Sequence, residues 1–253
     1  DSGYENSIFG AGIGLSYEKF KDVYFSPGIS LTYDDLTTDE TASTLLQNQS
    51  GSATDLMLDY SLSTDKRDRR FMPTNGYLTS FFQEFPIYAD QPFIKNSFSS
   101  SHYNEFSENV VGALKFSVTS INGLNDEDVR VSQRLTLSTK KLRGFQAGKI
   151  GPKDGSDFVG GNYSSSLNLE ANFPNFFPEK SNAEVGLFLD AGNVWGIDYS
   201  DTIDDSNKIR STLGLNTSWL SPAGPLSFVF SKNITKATTD VDQSFNFRLG
   251  TTF

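Results

Sequence analysis

Apolar and polar residues alternate with a period of two through most of the chain, and this pattern limits the possible folds more strongly than composition does. Apolar residues occupy odd positions between 7 and 18 and even positions between 54 and 63, as at Leu56 and Leu58. Successive side chains of a strand point to opposite faces, whereas helical spacing fits these stretches poorly. The pattern predicts about eleven strands, at 7–18, 23–33, 54–63, 77–87, 94–106, 109–121, 162–173, 183–194, 208–219, 225–233 and 243–253.

The predicted strands are joined by connections that alternate in length. Most of the strands are long enough to cross a bilayer when tilted. We expect long polar loops at 35–53, 122–161, 196–207 and 233–242, and shorter turns at 18–22, 64–76, 174–182 and 220–224. Outer-membrane barrels show this asymmetry, with long loops outside the cell and short turns in the periplasm. The sequence therefore predicts an all-β fold, an antiparallel transmembrane β-barrel.

A soluble β-sandwich is the main alternative fold, because its strands are also short and also alternate. The distribution of aromatic residues favours the membrane. Tyr17, Trp195, Trp219 and Phe253 stand near the ends of predicted strands, where aromatic side chains form the interfacial belts of membrane proteins. An odd number of strands is unusual for a closed bacterial barrel. We therefore expect the barrel to be incomplete, with the N-terminus at Asp1 as a cut.

Composition excludes several other classes of protein. The 253 residues include 22 Phe and 10 Tyr but only 2 Met, as is typical of strands. The chain has no Cys, which excludes a disulfide framework and Cys-ligated metal sites. Its net charge of −10 argues against a nucleic-acid partner. It contains no apolar run of about 18 residues, so it predicts no transmembrane helix.

The predicted loop 122–161 carries three short motifs. In order, they contain Leu142, Arg143, Gly144 and Phe145, then Ile150, Gly151, Pro152 and Lys153, and then Gly160, Gly161 and Asn162. The set resembles the sixth extracellular loop of the Omp85 family, whose tip carries an Arg-Gly-aromatic sequence. The resemblance implies that the loop folds back into the barrel and that Arg143 meets an acidic residue on the inner wall.

Two acidic residues lie on strands that match the same family. The Phe-Leu-Asp-Ala-Gly segment contains Phe188, Asp190 and Gly192, and Glu170 follows the Gly-Gly pair. Alternation places Asp190 on the lumen side of its strand, with Leu189 facing lipid. A guanidinium fork matches a carboxylate in shape and charge, so we expect Arg143 to pair with Asp190, with Glu170 nearby. As an alternative, Arg143 is an ordinary exposed cation of a loop.

Two turns complete the resemblance, which covers nearly the whole chain from about the sixth strand of a barrel of about 16 strands. They lie at 65–76, where the sequence runs from Asp65 to Gly76, and at 221–226. Pro and Gly suit both as turns, and we assign no function to the charges of the first. Residues 138–141 depart from the family, which often has Gly-Gly there. The family implies that further strands and periplasmic POTRA domains precede this single unit, 1–253.

The C-terminal stretch 243–253 has one apolar and one polar face. Phe245, Phe247, Leu249 and Phe253 share the face that we expect to meet lipid. Gly250 has no side chain and weakens the strand locally. The terminal Phe resembles the signal by which barrels are recognised for assembly. We interpret this stretch as the closing strand of the barrel and as a surface on which client strands pair.

No catalytic or metal-binding arrangement can be read from the sequence. His102 is the only His, and only Ser100 among the neighbouring Ser residues shares its face. A Ser–His mechanism also needs an oriented carboxylate, and 198–207 lacks the spacing of a calcium-binding EF-hand loop. We therefore expect no enzyme activity, no cofactor and no metal.

The resemblance implies that the protein assembles and inserts β-barrel proteins into the outer membrane of a Gram-negative-type bacterium. Client strands would add at a seam between the first and last strands by β-augmentation. The implied partners are outer-membrane lipids, unfolded outer-membrane proteins and accessory lipoproteins bound through the periplasmic part. Two alternatives remain: another Omp85 transporter, such as a two-partner secretion pore, and a passive porin-like channel. The Ile150–Lys153 and Ser221–Leu226 segments favour the assembly branch of the family.

Overall fold

A computed structural model describes residues 3–203, 207–221 and 224–249, and nearly all of their regular secondary structure is β-strand. The strands are β1 Tyr4–Gly14, β2 Tyr17–Phe20, β3 Val23–Thr38, β4 Gly51–Asp65, β5 Gly76–Ala89, β6 Phe93–Ser107, β7 Val110–Gly123, β8 Gly144–Phe145, β9 Lys153–Asp154, β10 Asp157–Phe158, β11 Tyr163–Phe173, β12 Ala183–Trp195, β13 Arg210–Ser221, β14 Gly224–Thr235, β15 Asp242–Gln243 and β16 Phe245–Leu249. A short helix α1, Thr44–Gln47, and 3₁₀ turns at Val131–Gln133 and Glu179–Ser181 complete the set. No helix in these ranges is long and apolar enough to span a membrane.

The long strands form one antiparallel sheet of 12 strands, as the alternation predicts. Its order is β1-β3-β4-β5-β6-β7-β11-β12-β13-β14-β16, with β2 beside β3. Strands that follow each other in sequence therefore lie side by side, which is the arrangement of an up-and-down barrel. Within the described residues, β1 pairs only with β3 and β16 only with β14, so the sheet is not closed.

The two faces of the sheet carry the residues that the period of two assigns to them. On β12, Leu187 and Leu189 are 50% and 44% exposed on the outer face, whereas Phe188 and Asp190 are 4% and 0% exposed on the inner face. The apolar outer face is the one that meets lipid in a transmembrane barrel. The inner face is buried because loop residues 124–162 lie against it.

The loop residues form a large part of the buried core, which consists of three clusters on the inner side of the sheet. One cluster contains Leu36, Ala42, Leu46, Val131 and Val159, a second contains Met57, Phe93, Ile121, Val129 and Leu135, and the third contains Leu137, Leu142, Phe145, Ile150 and Val194. Each cluster joins loop side chains to residues of the wall or of a neighbouring loop. The interior is thus filled by a folded segment, which fixes the position of the motifs that the segment carries.

Several predicted boundaries differ from the structure. The stretch 7–18 is divided into β1 and β2, which both pair with β3. The stretch predicted at 23–33 continues to Thr38, so the loop expected at 35–53 is shorter and contains α1, whose N-cap is Ser43. The last predicted strand, 243–253, is also divided, because Asp242–Gln243 pairs with β8 rather than with β14. Gly250 and Phe253 lie outside the described residues.

Candidate functional site

Arg143 lies inside the sheet and is bound to Asp190 of β12. Its Nε donates to Asp190 Oδ2 at 2.7 Å, and a terminal nitrogen donates to Oδ1 at 2.6 Å. The backbone amide of Arg143 donates to Oδ2 at 3.1 Å. The two side chains are 6% and 0% exposed. This is the two-point geometry in which a guanidinium and a carboxylate interact most strongly.

Glu170 of β11 completes the ion pair and joins it to a third strand. Arg143 lies 2.8 Å from Glu170 Oε1, and Lys115 Nζ of β7 donates to Glu170 Oε2 at 2.7 Å. The guanidinium also stacks on Phe188, and Arg143 Cζ lies 3.7 Å from the centroid of the Phe188 ring. A cation over an aromatic face is stabilised by the ring quadrupole. Lys115 was not singled out from the sequence, since nothing in its spacing links it to a residue 55 positions away.

Gly144 follows Arg143 in a conformation that requires glycine. Its φ is +90°, and a Cβ there would lie 2.7 Å from Thr212 Oγ1 and would also meet Asn233 Oδ1. The carbonyl of Gly144 accepts a hydrogen bond from Asn233 Nδ2 at 3.0 Å. The tip of the loop therefore approaches β13 and β14 too closely for any side chain.

We expect Gly144→Ala to destabilise the loop inside the barrel by about 1–3 kcal/mol, because alanine adopts a positive φ at a cost and meets Thr212. The loss should appear as a lower urea midpoint of the full-length protein, followed by the fluorescence of Trp195 and Trp219. Gly155→Ala is the matched control, since its φ is +59° but nothing lies within 4 Å of its Cβ. An equal loss in both variants would show that backbone strain, and not close approach to the wall, decides the effect.

A second connection fastens the tip to the loop between β14 and β16. Strand β8 pairs with β15 through Phe145 opposite Asp242 and Gly144 opposite Gln243. Beyond the strands, the Gln146 amide donates to the carbonyl of Val241 at 2.9 Å. Backbone pairing therefore joins the tip of the inserted loop to the segment that leads into the last strand.

Apolar side chains anchor the same tip on either side of the ion pair. Leu142, Phe145 and Ile150 are each at most 3% exposed and pack with Val194 of β12. Gly192 leaves room for this cluster, because a Cβ there would lie 3.1 Å from Leu137 Cδ1. The motif residues thus supply both the charge contact and its water-excluding surroundings.

The remaining glycines of the motifs lie where the loop comes close to the wall or to another part of itself. Gly151 has φ +91°, and its Cβ would lie 3.0 Å from the carbonyl oxygen of Val194, while the carbonyl of Pro152 accepts from the Val159 amide at 3.2 Å. Gly160 has φ +70°, and Gly161 forms a bridge with Leu135. A Cβ on Gly161 would lie 2.5 Å from the carbonyl oxygen of Trp195. The loop backbone comes so close to the wall at positions 151 and 161 that only glycine fits there.

Further buried ion pairs hold the loop, and no sequence motif identifies them. Arg134 binds Asp198 and also donates to Asn162 Oδ1 at 2.6 Å. Burial alone raises the pKa of Asp198, but Arg134 and a hydrogen bond from the Val129 amide hold that pKa below its ordinary value. Asp198 is therefore charged at neutral pH, and its bonds close the loop around Asn162.

The geometry supports a mechanical and electrostatic role for the site. The charges of the Arg143 cluster are paired with one another, and they bind a loop to three strands of the wall. His102 stacks on Tyr77 with ring centroids 5.6 Å apart and contacts Ser100 Oγ at 3.1 Å. Within the described ranges, no carboxylate is bonded to His102, so these residues do not form a Ser–His–acid arrangement.

The fold and the locked loop together define a class of protein, the outer-membrane β-barrels that carry an inserted loop fastened to the inner wall. The model of the Omp85 superfamily domain matches residues 1–253, so the chain belongs to the Omp85 superfamily. It is an outer-membrane β-barrel, similar to the C-terminal barrel part of BamA.

Named relatives place the chain within that superfamily. It is 27% identical over 256 residues to the outer membrane protein assembly factor BamA of Neorickettsia risticii, covering 99% of this chain and 34% of the relative. The chain thus spans about a third of the length of this curated relative. The crystal structure of BamA from Haemophilus ducreyi lacking POTRA domains 1–3 superposes with a TM-score of 0.86 at 24% identity, over 96% of this chain and 54% of that one. CdiB from Acinetobacter baumannii gives a TM-score of 0.60 at 10% identity, over 96% and 41%.

Proposed function

We propose that this chain is the C-terminal part of a barrel that assembles and inserts β-barrel proteins into the outer membrane of a Gram-negative-type bacterium. Client strands add by backbone pairing along the edge of β16, which borders the seam of the complete barrel. The protein acts without covalent catalysis or a cofactor. Its partners are outer-membrane lipids, unfolded outer-membrane proteins and accessory lipoproteins held by the periplasmic part, and nucleic acid is not among them.

The observation that carries this proposal is that the loop tip at Arg143 is connected to β15, the segment that leads into the last strand, β16. Arg143 is fixed to Asp190, and the next two residues, Gly144 and Phe145, pair with Asp242 and Gln243. Strand β16 begins two residues later and pairs with β14 through Phe245–Leu249. The locked loop therefore sets the position of the strand whose free edge offers unpaired backbone groups.

A passive channel fits the interior less well than an assembly barrel does. A porin holds a water-filled lumen, whereas here Leu142, Phe145 and Ile150 pack inside the sheet as a dry cluster. Large and steady conductance of the full-length protein in planar bilayers would favour the channel. Small and intermittent conductance supports the proposal.

A disulfide across the seam tests the assembly function directly. Asn246 faces the interior on β16 and pairs with Val229 of β14. We expect that Asn246→Cys, cross-linked in the full-length protein to a cysteine in the first barrel strand, abolishes client insertion while the barrel stays folded. The measurement is the insertion of a client into vesicles, with folding followed by heat-modifiable migration on gels.

The matched control uses the same cysteine on the other side of the strand. Asn246→Cys joined to Val229→Cys links two strands that are already paired, so client insertion should continue. Reduction of the seam disulfide should restore insertion. Normal insertion with the seam fully cross-linked would refute strand addition at this edge and leave the barrel assignment intact.

A further inference from the structure

A cavity lies beside the Arg143 cluster, on the side of the sheet where the turns 66–75 and 174–182 lie. Its volume is about 390 Å³. Residues of seven strands line it, together with part of the inserted loop and the turn that joins β4 and β5. The sequence shows this turn as the Asp65–Gly76 motif. Its residues take part neither in the ion pairs between Arg143 and the wall nor in the seam.

The charge of the cavity is opposite to that of the chain. The protein carries a net charge of −10, but the described residues that line the cavity include six cationic side chains and two carboxylates. The cations are Arg67, Arg70, Lys115, Lys140, Arg143 and Arg248, and the carboxylates are Glu170 and Glu184. A concave, low-dielectric site with one sign of charge focuses its field and attracts ions of the other sign.

Two of these cations form no ion pair in the part of the chain that the structure describes. Glu170 is shared by Arg143 and Lys115, and Arg67 is bound to Asp65. Within the described residues, neither Arg70 nor Arg248 takes part in an ion pair, and the buried Nε of Arg248 has no hydrogen-bond acceptor. An unsatisfied buried donor costs free energy. An oxyanion that accepts from this guanidinium would remove that cost and balance its charge.

Two Asn side chains on the same wall can add hydrogen-bond donors to the cavity. The Oδ1 atoms of Asn172 and Asn216 are buried without a hydrogen-bond partner, and both residues line the cavity. Both Oδ1 atoms lie close to the position that a Cβ on Gly186 would occupy. The NH₂ group is the other end of each amide, and within the described residues neither NH₂ group makes a hydrogen bond, so each can donate to a ligand. The wall therefore offers neutral donors beside the unpaired guanidinium groups.

The turn is built to hold its arginines in place. Asp68 Oδ1 accepts from the amides of Thr74 and Asn75 at 3.0 and 3.1 Å, and its Oδ2 accepts from Thr74 Oγ1 at 2.8 Å. Arg67 donates twice to Asp65, each time at 2.8 Å. These bonds close the turn from both ends, so its arginines lie at the mouth of the cavity without further ordering of the backbone.

We propose that this cavity binds a phosphate-bearing anion, with Arg70 and Arg248 as the charge partners and the Asn172 and Asn216 amides as neutral donors. At least two uncompensated cations call for a multiply charged ligand, and guanidinium forks match phosphate oxygens. The volume exceeds that of several water molecules, at about 30 Å³ each, so the phosphate can carry a substituent. The phosphate comes either from a lipid headgroup or from a soluble compound. The inference does not depend on the assembly activity.

The test uses the full-length protein in neutral detergent, titrated with inorganic pyrophosphate by isothermal titration calorimetry. We expect saturable binding that weakens about tenfold or more in Arg248→Gln, which corresponds to the loss of one charged hydrogen bond. Arg70→Gln should weaken it similarly, and this residue lies in an exposed turn where the substitution does not disturb folding. Lys232→Gln is the control, since it removes an exposed cation of β14 outside the cavity.

Competition with water-soluble dihexanoyl phosphatidic acid identifies the source of the phosphate. Displacement of pyrophosphate by this lipid at lower concentrations than by glycerol phosphate assigns the site to a lipid headgroup, and the reverse order assigns it to a soluble phosphate. Absence of saturable binding would overturn the proposal. Equal affinities in the native protein, Arg70→Gln and Arg248→Gln would also overturn it, because binding would then occur elsewhere.

Discussion

Truncation of Arg143 or of Asp190 is expected to lower the free energy of unfolding of the full-length protein by about 3–5 kcal/mol, because the first change leaves a buried carboxylate unpaired and the second removes the two-point partner of a buried guanidinium. Asp190 is 0% exposed, and its recorded bonds in the described residues all come from Arg143. Arg143→Ala therefore removes the side-chain donors of this carboxylate. Asp190→Ala leaves Arg143 with Glu170 alone.

The double variant decides whether the two residues act as a pair. We expect Arg143→Ala with Asp190→Ala to cost clearly less than the sum of the single variants, since no isolated charge of the pair remains. The measurement is urea unfolding in lipid vesicles, followed by tryptophan fluorescence. Lys66→Ala is the control, because its ion pair with Asp22 is about 40% exposed on both sides and should contribute at most about 1 kcal/mol. Strictly additive losses would show that the pair does not exist in the membrane.

Client insertion provides a second and separate measurement on the same variants. If the loop tip positions β16, Arg143→Ala should reduce insertion even where the barrel remains folded. Glu170→Gln should have a smaller effect on stability than Asp190→Ala, because Arg143 keeps both of its side-chain hydrogen bonds to Asp190. If the Arg143→Ala barrel is folded and inserts clients normally, the ion pair of Arg143 is not required for the proposed function.

The strands could be predicted from the sequence because lipid and lumen impose opposite requirements on alternate residues. Leu187, Leu189, Phe188 and Asp190 occupy the faces that the period of two assigns them. The ends of the strands could not be predicted in this way. Beyond the apolar band both faces are polar, so the alternation fades while the backbone ladder continues, as it does in β3 to Thr38.

The division of the last predicted strand has a similar cause. Alternation of apolar and polar residues shows that 243–253 is extended, but it does not identify the backbone with which each part pairs. Gln243 pairs with Gly144 of the inserted loop, whereas Phe245 pairs with Phe230 of β14. A partner that lies about a hundred residues away and enters from the interior leaves no periodic signal.

The candidate site could be predicted only as far as its motifs extend. Arg143, Gly144 and Asp190 belong to short sequences with a fixed phase, and the structure brings them together. Lys115 and the ion pair between Arg134 and Asp198 lie in segments without such a motif. Their role depends on the path of the loops, which is set by tertiary packing and not by local spacing.

The Arg210–Asp240 pair gives the second large effect that we expect. Both side chains are 0% exposed, and Arg210 lies at the start of β13. Its Nε donates to Asp240 Oδ2 at 3.0 Å and a terminal nitrogen donates to Oδ1 at 2.9 Å. The other terminal nitrogen donates to Asn193 Oδ1 at 2.6 Å and to the carbonyl of Lys208 at 2.8 Å. One guanidinium thus joins two strands to the loop that leads into β15.

Arg210→Met should therefore lower the free energy of unfolding by about 3–5 kcal/mol, since it leaves the Asp240 carboxylate buried and without a cationic partner. Lys236→Met is the matched control in the same loop. Its ion pair with Asp242 is 47% and 41% exposed, so its loss should change stability by at most about 1 kcal/mol. The double variant Arg210→Met, Asp240→Leu should recover much of the stability lost in Arg210→Met, because apolar side chains can replace a buried ion pair without an unpaired charge.

Since Asp240 belongs to the loop that holds Gly144 and Phe145 through β15, Arg210→Met should also release the tip of the inserted loop. Faster proteolysis of the loop in Arg210→Met than in Lys236→Met would demonstrate that release, and equal rates would show that the Arg143 ion pair holds the tip alone.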